Sequence, residues 1–355
     1  MTVTVVTIWG TLEKTSITDT SQLMDADELL WRYRGGERDF TAVNVSGFSL
    51  FSQDLIDIIL NQADLRKSNL TFAYLNRAQL IKTNLSSCKL SGATLIRADL
   101  QGANLRDADL HGANLQFADF RGADMTWVNL IDANLMDADL RNVNLSGANL
   151  SGACLRAANF REEKRSYNSN LRSAKLCRAD LRNANMAGAN LSKVDLSYAN
   201  LTEANLKGVD LTGANLTGAK LNNAILTEAN LHEAHLPHAD LSLAKLERAI
   251  LTACDLTGAN LSRAIMSKIE LANSNLSYAD LTDARMHYAD LTRTILCYAT
   301  MVGVELIEAH LAKTNLEDAN LTNANLMRAE MSSASTIGTI LTGAKMPDGR
   351  MYANV

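Results

Sequence analysis

The sequence predicts an all-β fold in which short extended segments stack into a solenoid, and two regularities carry this prediction. Leucine or phenylalanine recurs every five residues, and alanine stands two residues before most of these centres. The stretch from Ala98 to Phe120 repeats the unit Ala-(Asp/Asn)-Leu-x-x without interruption. Because residues two apart point to the same side of an extended segment, the alanine and the leucine both face inward. A chain that turns to the same side after every unit closes into coils, which pair as parallel strands.

The repeat accounts for most of the chain. Centres run from Phe40 to Phe160 and resume from Leu171, fading after Met331 through Thr336, Leu341, Met346 and Met351. A repeat array grows linearly without splitting into separate cores, so 355 residues do not imply several globular domains. The phase places Cys88 and Cys254 at inward positions and makes Phe120 and Phe160 inward centres.

The motif A-(D/N)-L-x-x in this many copies resembles the pentapeptide-repeat family. The opening LLWRYRGGERDF and the closing LTGAKMPDG are similar to the terminal segments of cyanobacterial members. The resemblance implies a right-handed quadrilateral parallel β-helix with four units per coil. At that rate about 60 units form about 15 coils, a rod on the order of 70 Å long, in which residue n lies over residue n+20.

A short helix is expected before the array. Residues from Met24 to Tyr33 share an apolar face, Asp25 can N-cap them with Glu28 three residues later, and two glycines follow. Such a helix would cover the unpaired backbone groups of the first coil, which otherwise invite edge-to-edge association. A helix that recruits a partner is the alternative. Residues 2–8 alternate loosely and predict a short strand.

The domain organisation follows from these boundaries. We expect an N-terminal extension and capping helix at 1–38, a first β-helix segment at 39–160, a loop or bulge at 161–170, a second β-helix segment at 171–335, and a degenerate C-terminal cap at 336–355. The last of these segments could either cap the final coil or form a homodimer.

One interruption breaks the array. Phe160 and Leu171 are eleven residues apart, which predicts one inserted residue in two units, so that residue n lies over n+21 across the break. Residues 156–182 contain eight basic and three acidic residues, a net charge of +5, whereas the whole chain carries −5.

The stacking rule predicts two surface columns as candidate partner-binding sites. One joins Arg121, Arg141, Arg161 and Arg182, and it adds Lys164 and Arg165 from the break to form a basic patch for an acidic partner. The alternative is a solvated face on which these arginines pair with a second column, two residues behind, made of Asp99, Asp119, Asp139, Asn159 and Asp180. A further column is expected to contain Phe117, Asp137, Ala157, Arg178, Tyr198, Gly218, His238, Gly258, Tyr278 and Tyr298, with Tyr278 and Tyr298 stacked directly as contact residues.

No motif for catalysis or cofactor binding is found. The sequence lacks the phosphate-binding loop, the dinucleotide fingerprint, the nucleophile elbow and the zinc-protease motif. Its many aspartates recur at one position of the repeat, so the repeat architecture accounts for their number. The spacing of His232, His235 and His238 could in principle suit a metal ion, but the three occupy different outward positions of the repeat and are not expected to converge on one ion. We therefore expect no metal. In the absence of the motifs above, we also expect no cofactor and no enzymatic activity.

The expected function is that of a non-catalytic scaffold or interaction protein that presents flat faces to a macromolecular partner, which we expect to be a protein. The family resemblance adds an alternative, a DNA mimic that binds DNA gyrase, which requires dense negative charge along one face. The net charge of −5 and the basic middle disfavour it, and they equally disfavour direct binding of nucleic acid or a membrane surface. The five cysteines are scattered, which favours a reducing compartment. No apolar run is long enough to span a membrane, and no basic residue before Thr2 suggests a signal peptide. These observations predict a cytoplasmic location.

Overall fold

Each five-residue unit forms a turn in the computed structural model, which describes residues 22–161 and 168–352. In most units the N–H of the inward residue donates to the carbonyl of the preceding centre, as from Ala103 to Leu100 at 3.0 Å. The second residue after each centre has a positive φ, 63° at Gly112 and 55° at Asp107. Glycine adopts this left-handed conformation without steric penalty, which explains why it recurs at that position.

The turns stack into coils with the expected spacing. Parallel bridges join residues 20 apart, such as Asn104 with Asp124, and the N–H of Leu105 donates to the Asp124 carbonyl at 2.7 Å. The right-handed quadrilateral β-helix predicted from the sequence is therefore confirmed. Its units form four columns, which we number by their first centres. The first begins Phe40, Leu60; the second Val45, Leu65; the third Leu50, Leu70; and the fourth Leu55, Leu75.

The interior is filled by the centres and the inward residues. Leucines and alanines at these positions are buried from Leu50 to Leu326, and Phe120 and Phe160 are fully buried in the first column. Cys88 and Cys254 are also buried, and each thiol donates to the carbonyl of a centre in the preceding coil. The same bond is made by the buried hydroxyls of Ser68, Thr83, Ser274, Thr294 and Thr314.

The N-terminal helix is present where the sequence predicts it. Strand β1 (Gln22–Leu23) pairs in parallel with β2 (Val43–Asn44), and α1 (Ala26–Arg34) follows β1. The Asp25 carboxylate caps α1 by accepting the Glu28 N–H at 2.7 Å. Leu29 and Tyr33 are buried, and the Tyr33 hydroxyl donates to the Ile56 carbonyl at 2.8 Å, which ties α1 to the first coil. The strand expected at 2–8 lies outside the described residues.

The register across the break differs from the prediction. Asn144 pairs with Asn170 and Asn159 with Asn185, so residue n lies over n+26, not n+21. The eleven-residue step from Phe160 to Leu171 is one normal unit of five residues plus six extra, because Leu171 follows Phe160 directly in the next column. Ser169 completes the inward side there, donating its buried hydroxyl to the Phe160 carbonyl at 2.7 Å.

The last coil is covered less completely than the first. Lys345 pairs antiparallel with Met351, and the Tyr352 N–H donates to the Ala344 carbonyl at 2.7 Å. Met331 and Leu341 are half-buried in place of the fully buried leucines of earlier coils. The domain boundaries and the capping or dimerising role of residues 336–355 stay predictions.

Candidate functional site

The corrected register separates the predicted arginine column into two. Arg121, Arg141 and Arg161 follow centres of the first column at intervals of 20 residues. Arg182 follows Leu181 in the fourth column and lies over Arg156, because Cys154 pairs with Asp180. The prediction of one continuous column of four arginines was therefore wrong for Arg182, and that of the acidic column was wrong for Asp180. Both errors have the same cause, the six extra residues at the break.

Three of the candidate arginines are paired within the chain. The Arg121 guanidinium binds the Asp119 carboxylate two residues earlier, with Nη2–Oδ2 at 2.6 Å, and Arg141 binds Asp139 in the same way at 2.6 Å. The Arg182 Nη2 lies 2.5 Å from Asp180 Oδ2, and this hydrogen bond holds the pKa of Asp180 below its usual value. Such pairs neutralise much of the charge that a partner would meet.

Arginines that make no ion pair with a described carboxylate gather around the break. Asn159 replaces aspartate behind Arg161, so within 22–161 and 168–352 the Arg161 guanidinium makes no ion pair. Lys164 and Arg165 lie outside the described residues. The arginines around the break that make no ion pair with a described residue, together with Arg182, which binds Asp180, form the set that we call the central arginine belt: Arg156, Arg161, Arg172, Arg178 and Arg182.

The belt surrounds the rod, so it differs from the basic patch that the sequence suggested. Arg161, Arg172 and Arg178 belong to the first, second and third columns, while Arg156 and Arg182 share the fourth. The density of cations is therefore highest along the fourth column, which carries Arg156 and Arg182 and has Arg178 at the corner that joins it to the third column. On this side Arg156 lies close enough to Asp180 to help lower the pKa of its carboxyl group, after the larger effect of Arg182.

The stacking of Tyr278 on Tyr298 is present as expected. Their ring centroids lie 5.1 Å apart with the planes inclined by 6°. A side-chain hydrogen bond to Asp318 raises the pKa of Tyr298. The column that contains this pair was predicted wrongly at its start, because Phe117, Asp137 and Ala157 belong to the fourth column. The residues that share the third column run from Arg178 through Tyr198 and His238 to Asp318.

The three clustered histidines have separate surroundings. His232 Nδ1 lies 2.8 Å from Thr252 Oγ1, whereas His235 Nδ1 lies 3.1 Å from Asp255 Oδ2. The His238 ring lies against Gly258 in the next coil. Over the described ranges, no group of three or more histidine, cysteine, aspartate or glutamate residues is placed to hold a metal ion. Nor is any helix in those ranges long and apolar enough to cross a membrane.

Sequence reasoning missed the pairs that join successive coils. Glu228 binds Arg248 at 2.6 Å, and Glu308 binds Arg328 at 3.1 Å, each across 20 residues. Large rings also lie over glycines one coil later: a Cβ on Gly147 would come within 2.4 Å of the Trp127 ring. The signal for both kinds of pair was available, since they join residues n and n+20.

Comparison with known proteins gives matches along most of the array. A family model described as Pentapeptide repeats (8 copies) matches overlapping segments between residues 54 and 343, leaving out only residue 87 and residues 162–168. The uncharacterized protein slr1819 of Synechocystis sp. (strain ATCC 27184 / PCC 6803 / Kazusa) is 52% identical over 41 residues. That match spans 12% of this chain and only 12% of the length of that curated relative.

Solved structures are also similar. HetL from Nostoc sp. strain PCC 7120, a pentapeptide repeat protein involved in heterocyst differentiation regulation, is 27% identical, with 93% of this chain and 100% of that chain covered at a TM-score of 0.36. Rfr23 from Cyanothece 51142 is 33% identical over 31% of this chain and 90% of its own, with a TM-score of 0.29. QnrB1, a plasmid-mediated fluoroquinolone resistance protein, is 18% identical over 64% of this chain and 90% of its own, with a TM-score of 0.23.

Proposed function

Because the chain belongs to the pentapeptide-repeat family, we propose that it is a non-catalytic interaction scaffold that binds an acidic protein partner through the central arginine belt. The belt is proposed to meet the partner along the fourth column and at its corner with the third column, where Arg178 lies. The proposal also assigns contact roles to Arg121, Arg141 and Arg161 on the neighbouring side and to Tyr278 and Tyr298 further along the rod. A cytoplasmic location goes with it, since all five cysteines are free.

The hydrogen bonds of the repeat indicate that its aspartates and asparagines have a structural role. Asn104 Oδ1 accepts the Arg106 N–H at 3.2 Å, and Asp99 Oδ1 accepts the Gln101 N–H at 3.1 Å. The same bond recurs from unit to unit and holds each corner. Carboxylates used in this way are surface ladder elements with half-exposed side chains, whereas catalytic acids and bases gather in water-excluding pockets.

The observation that carries the proposal is the stacking of two arginines over one carboxylate at the belt. Elsewhere along the rod, several arginines each meet a carboxylate of their own two residues earlier or one coil away, as Arg66 meets Asp64 and Arg77 meets Asp57. At the belt, Arg156 and Arg182 are stacked one coil apart and share Asp180 as their nearest carboxylate. Stacked like charges are destabilising, and an acidic surface would relieve the repulsion.

Charge reversal tests this proposal. The variant Arg156→Glu/Arg178→Glu should lose the partner that the intact chain captures from a lysate of its source organism, and a retained partner would contradict the proposal. Arg293→Glu/Lys313→Glu is the matched control, because it changes the net charge equally at exposed positions far from the belt. Capture by the control variant should equal that of the intact chain. Circular dichroism of all three proteins checks that the rod remains folded.

The gyrase-binding alternative is not favoured by the arrangement of charge. A DNA mimic needs a continuous stripe of unpaired carboxylates, whereas Asp119, Asp139 and Glu228 each bind an arginine of this chain. We therefore expect no inhibition of DNA gyrase supercoiling, and no protection from a quinolone, at concentrations of the chain up to several micromolar. Inhibition that survives Arg156→Glu/Arg178→Glu would favour the mimic over the scaffold.

A further inference from the structure

One exposed corner of the rod carries aromatic rings at a regular spacing. It lies two residues after the third-column centres, and we call its members the aromatic ladder: Tyr198, Gly218, His238, Gly258, Tyr278 and Tyr298. Tyr198 is 62% exposed, Tyr278 64% and Tyr298 52%. Exposed tyrosines are enriched at binding hot spots.

Glycines set the spacing of the ladder. A Cβ on Gly218 would lie 2.7 Å from the Tyr198 ring, and one on Gly258 would lie 2.7 Å from the His238 ring. Each ring therefore extends over the following coil and occupies the space of the absent side chain. The result is one aromatic platform for every two coils at Tyr198, His238 and Tyr278, with Tyr298 stacked beneath the last of them.

This spacing fits a linear ligand of matching period. Paired strands are about 4.8 Å apart, so two coils advance about 9.6 Å. A polyproline II helix has about three residues per turn and rises about 3.1 Å per residue, which gives about 9.3 Å per turn. Every third residue of such a segment would thus meet an equivalent place on the ladder, with a mismatch of about 0.3 Å per repeat.

The chemistry of the ladder also fits. Proline-rich segments dock on aromatic side chains, and their backbone carbonyls remain free to accept hydrogen bonds. The hydroxyls of Tyr198 and Tyr278 and the amide of Asn200, which lies on the adjoining fourth-column unit, can supply the donors. A flat sugar ring fits less well, because Tyr278 and Tyr298 turn one face towards each other rather than outward.

The two ends of the ladder carry opposite charges. Arg178 stands one coil before Tyr198, and Asp318 stands one coil after Tyr298. In the described part of the chain, Arg178 makes no ion pair. A ligand with a carboxylate at one end and a cation at the other would be complementary in one direction only, which gives the site a polarity.

We propose that the aromatic ladder binds a proline-rich segment of a partner protein in the polyproline II conformation, with the acidic end of the segment at Arg178 and the basic end at Asp318. This proposal rests on the proposed function in assuming a protein partner, and it adds a second contact of defined chemistry. From Arg178 to Asp318 the ladder spans seven coil steps, about 34 Å, which corresponds to about 11 residues of such a segment.

Fluorescence anisotropy with the full chain tests this proposal. The probe is a labelled decaproline with glutamate at one end and arginine at the other, and the reference peptide replaces its prolines by alternating glycine and serine. The proline peptide should bind at least about tenfold more tightly than the reference, because its conformation is preformed. Tyr198→Ala and Tyr278→Ala should each weaken binding by about tenfold, while Tyr278→Phe, which keeps the ring, should retain most of it.

Tyr288→Ala is the matched control, because Tyr288 is 50% exposed but belongs to the first column. Unchanged binding by this variant supports the ladder. Equal affinity for both peptides, or equal binding by all the tyrosine variants, would overturn the proposal, as would binding of cellohexaose in place of the proline peptide. If the natural partner is lost on Arg156→Glu/Arg178→Glu but retained by Tyr198→Ala/Tyr278→Ala, the ladder proposal and the contact role of Tyr278 fail, while binding of the partner by the central arginine belt stands.

Discussion

At the residue scale, each of the five positions of the repeat has its own structural role, and that role is the same along the whole rod. The centre and the inward residue fill the core. The residue between them accepts a hydrogen bond from a backbone N–H of the following turn, as the Asn104 side chain does from Arg106. The corner residue after the turn must adopt a positive φ, whether it is Gly112 or Asp107. Apolar periodicity was enough to predict the buried positions. The hydrogen bonds of the polar ones could not be deduced, because they depend on the handedness of the turn.

A glycine substitution separates backbone strain from steric overlap. Gly147→Ala should lower the free energy of unfolding by about 2–3 kcal/mol, because it combines the left-handed conformation with displacement of the Trp127 ring. Gly112→Ala is the control, since its φ is 63° and no atom lies within 4 Å of an added Cβ. It should cost about 1 kcal/mol. Equal effects in guanidinium unfolding would show that the ring contact carries no energy.

The buried thiols give the stability of the chain a pH dependence. Burial raises the pKa of Cys88 and of Cys254 from 9.0 to about 12. Above pH 9 the unfolded chain releases protons that the folded chain retains, so each thiol should lower the free energy of unfolding by up to about 1.4 kcal/mol per pH unit until pH 12. Urea unfolding at pH 8 and pH 10 measures this loss. Cys88→Ala/Cys254→Ala should reduce it, and an unchanged pH dependence would contradict the explanation.

At the element scale, the helix α1 was predicted correctly from local sequence, whereas the register of the coils across the break was not. The pair Asp25 and Glu28 was enough to predict α1 from the sequence, because helix capping depends on residues only three apart. The break was misread because the spacing of Phe160 and Leu171 does not say whether the residues between them form a unit. The absence of the Ala-x-Leu pattern there was the available signal that they do not. Once the register was wrong, every column that crosses the break was wrong with it.

Disulfide formation tests the register directly. Cys177 Sγ lies 3.1 Å from Ser151 Oγ, 26 residues earlier. Ser151→Cys should therefore form a disulfide with Cys177 under mild oxidation, because neighbouring strands bring the two Cα atoms within bonding range. Arg156→Cys, which the n+21 register would place against Cys177, should not. Mass spectrometry of non-reduced peptides identifies the bond, and the opposite result would restore the original register.

The capping role of α1 makes a second prediction at this scale. Deletion of residues 1–36 should cause concentration-dependent association, because it removes buried Leu29 and Tyr33 from the first coil and opens its edge. Deletion of residues 1–21 keeps β1 and α1 and serves as the control. Light scattering measures the mass of each protein. If the shorter deletion associates equally, α1 is not the element that protects the edge.

At the scale of the whole molecule, the small net charge of −5 hides an uneven distribution. Ion pairs between successive coils neutralise several arginines elsewhere, whereas four of the five arginines of the central arginine belt make no ion pair with a described residue. A rod with a filled interior can act on another molecule only through its outside. The fourth column carries the stacked arginines of the belt, and its corner with the third column carries the aromatic ladder, so we propose that the principal contact lies there.

Hydroxyl-radical footprinting of the chain with its captured partner tests this central claim most directly. The account expects reduced oxidation of Tyr198 and Tyr278 and reduced reactivity of Arg156 in the complex, with Tyr288 in the first column unchanged. Protection of Tyr288 without protection of Tyr198, Tyr278 or Arg156 would place the partner on another side of the rod and contradict the account.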